Sequence, residues 1–89
     1  MEDVYGIAAF RSRQQVLFFE TALRREGLAV QVITTPRDVA LGCGLSVRFR
    51  IEDGPRVLRA LARTRPGNLV GVYRVEHRGG RTHLTVLAR

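Results

Sequence analysis

The chain has 89 residues, which is one domain's worth, and a chain this short hides only roughly two-thirds of the surface its unfolded form exposes. Fifteen basic residues stand against eight acidic ones, giving a formal charge of +7, and every basic residue is Arg. A complete absence of Lys reads as coding bias rather than selection for a phosphate track, although the excess of positive charge leaves acidic partners open. One Cys excludes an internal disulfide, and the acidic start Met1-Glu2-Asp3 is unlike a signal peptide. No stretch approaches the roughly 18 apolar residues of a membrane span. These features predict a cytoplasmic domain without membrane contact.

Val4 to Phe10 is a short apolar run with β-branched and aromatic members, as in a buried strand. Ser12 and Gln15 have the spacing of a capping box, and the helix they open should run from about Arg13 to Glu26 before Gly27 stops it. Its inward stripe is Val16, Phe19 and Leu23. Leu17 and Phe18 point away from that stripe, so either the buried face is wide or part of it meets another chain. Leu28 to Ile33 reads as a second strand. Thr35-Pro36 then resembles an N-cap with Pro at the first helical position, and Asp38 stands where a capping acid would. That pattern predicts a turn or short helix through Leu41, with Cys43 just past its negative end.

Gly44 to Arg50 alternates, with Leu45, Val47 and Phe49 on one face and Ser46, Arg48 and Arg50 on the other, as in a half-buried strand. Asp53-Gly54-Pro55 opens a second helix with Val57, Leu58 and Leu61 inward and a basic stripe of Arg56, Arg59 and Arg63. Leu69 to Glu76 and Thr82 to Leu87 are strands joined at Gly79-Gly80. The whole is an α+β chain of the ferredoxin-like βαββαβ plan, a sandwich with one extra C-terminal strand that completes a β-hairpin. Right-handed crossovers put both helices on one sheet face and leave the other to water, a partner sheet or a ligand.

Chemistry narrows to Cys43. A thiolate is the reactive form of cysteine, and Gly42 and Gly44 place no bulk beside the sulfur. Arg37 precedes the thiol in the same segment as a nearby cation, and Arg48 joins only if the fold brings it in. The commonest fate of a lone Cys is that of a small buried hydrophobe. His77 and His83 flank the hairpin turn on opposite faces of the ribbon, and one Cys leaves no tetrahedral metal set, so neither metal nor cofactor is expected. Tyr5 and Tyr73 are the one pair of aromatics on neighbouring strands that bases could stack on, and two ordinary strand tyrosines is the plainer reading. No paired acid and base points to an enzyme.

From Thr35-Pro36-Arg37 through Cys43-Gly44-Leu45 to Phe49, the chain resembles the small bacterial sulfur/selenium carrier-like family, a domain otherwise of unknown function. The Pro-Arg pair, the Cys-Gly pair and the apolar strand after it carry the resemblance. Phe10, Ser12, Glu20 and Gly71-Val72-Tyr73 agree with it, so that it covers about residues 4–75. It implies one carrier-like domain over residues 1–89, with residues 76–89 as a hairpin extension that covers a sheet edge or builds a homodimer. It implies Cys43 as the chalcogen-carrying thiol, Arg37 as the stabiliser of its anion, and Pro36, Gly42, Gly44 and Arg48 as the surrounding site. A sulfur or selenium donor protein and an acceptor enzyme would be its partners, and the carrier itself need not be an enzyme. Relatives often place serines where this chain has Ala40, Leu41 and Gly42. The alternative reading is a binding or regulatory module that offers its Arg-rich surface or open sheet face to an acidic protein or RNA.

Overall fold

A computed structural model describes residues 3–37, 39 and 42–89. The elements are β1 (Asp3–Phe10), α1 (Arg13–Arg25), β2 (Val30–Thr34), β3 (Leu45–Phe49), a one-turn 3-10 helix (Ile51–Asp53), α2 (Gly54–Thr64), β4 (Leu69–Arg78) and β5 (Arg81–Ala88). The five strands form one antiparallel sheet in the order β2-β3-β1-β4-β5. The fold is therefore α+β, with β1 at the centre of the sheet.

Both helices pack on the same sheet face. Val16, Phe19 and Leu23 of α1 and Val57 and Ala60 of α2 share a buried cluster with Ala8, Phe10, Val30, Val47, Phe49 and Val72. The Phe10 and Phe19 rings meet edge to face at 5.6 Å, a preferred aromatic geometry. The expected inward row of α2 is rotated slightly: Ala60 is buried, while Leu58 and Leu61 are half-buried at the margin.

Neither helix is opened by a side-chain cap bond, and Asp53 before α2 makes none. Ser12 takes the extended N-cap conformation but makes no side-chain cap bond. The Gln15 side chain instead accepts a hydrogen bond from the Gly67 amide at 3.2 Å, tying α1 to the turn before β4. The end of α1 is a Schellman closure, with the amides of Gly27 and Leu28 donating to the carbonyls of Arg24 and Leu23. Arg56 donates to the Glu26 carbonyl at 2.8 Å and Arg63 pairs with the Glu26 carboxylate. Two members of the basic stripe on α2 are thus committed to the negative end of α1.

The helix-free face is not open across its centre. Tyr5, Ile7, Ala9, Tyr73 and Val75 form a second buried cluster, which Val39 joins from the segment between β2 and β3. Tyr5 and Tyr73 are only 4% and 7% exposed, so neither offers a ring face for a base to stack on. Strand β3 is buried on both faces at Ser46, whose hydroxyl lies 2.6 Å from that of Thr35. The expectation of a solvated outer face for β3 is corrected there, because a bonded hydroxyl pair satisfies both polar groups inside.

The turn at Gly79-Gly80 sets the expected register, with His77 opposite Thr82 and Glu76 opposite His83. The imidazoles lie on opposite faces, and no group of three or more metal-ligating side chains comes together among the described residues. No helix among the described residues is long and apolar enough to cross a membrane.

Candidate functional site

The site grows from the join between β1 and β3. Those strands pair from Gly6↔Phe49 to Ala9↔Ser46, so the residues just before β3 run alongside the end of β1. There the Cys43 amide donates to the Phe10 carbonyl at 2.8 Å. Gly42 takes a left-handed φ of 71°, and a Cβ at that position would run into the Phe10 carbonyl oxygen. Both the backbone conformation and the close approach therefore require glycine. Gly44, also left-handed at φ 91°, turns the chain into β3, and its carbonyl accepts from the Thr35 amide at 2.8 Å.

Three bonds thus fix the two roots of the segment that links β2 to β3: Cys43 to Phe10, Thr35 to Gly44, and Thr35 to Ser46. Cys43 is half-buried, its side chain packed against the rim of the helix-side core. Among the described residues the sulfur's one hydrogen-bond contact is to the Leu45 carbonyl, at 3.8 Å. Cys43 as a residue is thus not sealed in the interior. Phe10 lies two residues before Ser12, so Cys43 sits at the end of the sheet from which α1 departs.

The other sequence-predicted residues divide into two groups. Pro36 is half-buried and opens a turn in which its carbonyl accepts from the Val39 amide at 2.9 Å. Arg37 is exposed in that turn and makes no ion pair or hydrogen bond among the described residues. The short helix expected through Leu41 involves Asp38, Ala40 and Leu41, which lie outside the described residues. Gly42 and Gly44 flank the thiol as the sequence dictates.

Arg48 is elsewhere. Its guanidinium stacks 3.9 Å from the centre of the Tyr5 ring and pairs with Asp3 at 3.5 Å, by the start of β1. The Tyr5 hydroxyl in turn lies 2.9 Å from Nε2 of His77, and Nδ1 of His77 lies 3.0 Å from the Thr82 hydroxyl. This chain of contacts across β3, β1, β4 and β5 was not read from the sequence. Only the register places Arg48, Tyr5 and His77 on one face, and register depends on pairings between distant strands.

A family model described as Putative Se/S carrier protein-like matches residues 5–69. The chain belongs to that family. The match runs from β1 to the first residue of β4 and includes every residue that anchors Cys43. No curated protein and no solved structure matches the chain. The remainder of β4 and all of β5 lie beyond the family match, and β5 pairs with β4 alone.

Proposed function

We propose that this chain carries sulfur or selenium on Cys43, receiving the atom from a donor protein and handing it to an acceptor. The observation that carries this reading is the half-buried Cys43 on an anchored backbone within the segment that the family model matches. In the first step the Cys43 thiolate attacks the outer sulfur of a donor persulfide. The donor's S–S bond breaks, its inner sulfur leaves as a thiolate, and a persulfide forms on Cys43. In the second step a nucleophile of the acceptor takes the outer sulfur and returns Cys43 to the thiolate. Two electrons move with each exchange between the sulfurs involved, so no separate oxidant is consumed. Selenium follows the same course through a selenosulfide.

Arg37, exposed in the turn that precedes the thiol, supplies positive charge for the persulfide anion. Pro36, Gly42 and Gly44 shape the backbone on which both residues sit. The carrier is a single domain, and residues 76–89 are its hairpin extension. The strand order, with β1 and β3 between β2 and β4 and both helices on one face, supports the ferredoxin-like plan. A reducing compartment such as the cytoplasm suits a thiol that must stay unpaired.

Incubation with a low-molecular-weight persulfide donor, followed by intact-mass measurement, tests the proposal. The wild type should gain the mass of one sulfur, and Cys43→Ser should gain none while keeping the same circular dichroism. Arg37→Gln should load more slowly to the same end point. An unchanged wild-type mass, beside a control thiol protein that loads, overturns the carrier reading.

A further inference from the structure

Helix α1 buries one face and leaves apolar side chains on the other. Leu17 is 52% exposed and Phe18 48%, the largest exposures of any big apolar side chains on the described helices. Phe18 stands between two shallow grooves. One, of about 320 Å³, is lined by Leu17, Phe18, Thr21 and Ala22 and rimmed by Arg25. The other, of about 490 Å³, runs from Phe18 past Gln15 to Arg65 and Pro66.

The charge around these grooves is of one sign. Among the described residues neither groove is lined by an acid, and Arg25 and Arg65 make no ion pair. Five of the described acids are used elsewhere: Asp3 by Arg48, Glu20 by Arg24, Glu26 by Arg63, Glu52 by Arg50, and Glu76 by Arg74 and Arg78. Asp53 stands at the N-cap of α2.

We propose that the outer face of α1 docks an acidic segment of a partner protein, with an apolar side chain of that segment seated beside Phe18 and its carboxylates on Arg25 and Arg65. An apolar centre with a charged rim is the usual anatomy of a protein interface, and aromatic and Arg side chains carry most of the energy there. A second copy of this chain fits poorly, because it would bring another +7 of charge to a surface already without acids. A membrane surface fits poorly too. Adsorption grows with the apolar area buried, and here two apolar side chains stand among Gln14, Thr21 and concave grooves. The proposal does not depend on chemistry at Cys43. It gains relevance from position, since the Gln15–Gly67 bond puts the second groove at the end of the sheet where Cys43 is anchored.

The test is an amide-shift titration of the full chain, labelled with nitrogen-15, using a synthetic acidic peptide with a central Leu-Phe anchor. Shifts should centre on Leu17, Phe18, Thr21 and Arg65, and saturate. Phe18→Ala should weaken binding about tenfold. The charge-reversed pair Arg25→Glu with Arg65→Glu should lose the acidic peptide and gain a Lys-containing counterpart. Both variants alter exposed side chains, and circular dichroism checks that they fold. Shifts scattered over the other arginines, or equal shifts with a peptide whose anchor is replaced by Ser, overturn the proposal. So does the absence of saturation. A Phe18-dependent dimer in light scattering, or Phe18-dependent sedimentation with phosphatidylglycerol vesicles, would also overturn it by naming a different occupant.

Discussion

The Cys43 amide and the Phe10 carbonyl, 2.8 Å apart, join the thiol-bearing residue to the last residue of the central strand. The bond forms because Gly42 allows the backbones to approach. Gly42→Ala therefore forces a side chain into the left-handed region, at about 1–2 kcal/mol, and against the Phe10 carbonyl as well. The expected result is a melting temperature lower by roughly 5–15 °C and faster labelling of Cys43 by a thiol reagent. Equal melting and equal labelling would show that the approach has no role in holding the thiol.

The hydroxyls of Thr35 and Ser46 meet inside the protein at 2.6 Å. Ser46→Ala leaves the Thr35 hydroxyl without that partner, and the loss should be about 1–3 kcal/mol. Replacing both, with Thr35→Val beside Ser46→Ala, removes the polar group that was stranded. Denaturant unfolding should find the double variant more stable than the sum of the two single losses predicts. Strict additivity would mean that the hydroxyls act independently.

Gly6 lies under the Phe49 ring, where any side chain at position 6 would run into the aromatic carbons. Gly6→Ala should overpack this contact and cost about 1–3 kcal/mol. Phe49→Leu, added to it, should return part of the loss by vacating space. If the second change only deepens the destabilisation, the ring and the glycine are not paired in this way.

Glu76 holds its carboxyl below the usual value of 4.5, chiefly through the hydrogen bond from Arg74, with Arg78 and His83 adding to the effect. A depressed pKa in the folded state contributes stability that is present above the unfolded value. It is lost as pH falls through the folded value. The melting temperature of the wild type should therefore fall more on acidification from neutral pH to below 4.5 than that of Glu76→Gln. Parallel profiles would remove Glu76 from the acid response of the hairpin.

Features set by near neighbours in the chain were legible in the sequence. The stripe Val16, Phe19, Leu23 follows from helical spacing, and the opposition of His77 to Thr82 follows from a two-residue turn. What escaped was decided by residues far apart. Gln15 matches a capping box by its spacing, yet it bonds to Gly67 across 52 positions. The place of Val39 in the cluster on the helix-free face depends on packing against residues distant in the chain. Cys43 was legible as a residue, but its attachment to Phe10 was not, because nothing within ten positions marks either as the other's partner. Arg48 alternates correctly within β3, and only the pairing with β1 brings it to Tyr5 and Asp3.

Because Thr35, Cys43 and Gly44 are each bonded at the foot of the connection between β2 and β3, the sheet itself holds the Cys43 backbone, whatever the length of the tip between Thr35 and Cys43. Extending such a tip adds little to the entropy of closing it. Insertions after Pro36 should thus leave the Cys43 backbone where it is, so that the length of the connection and the position of the thiol can vary independently of each other.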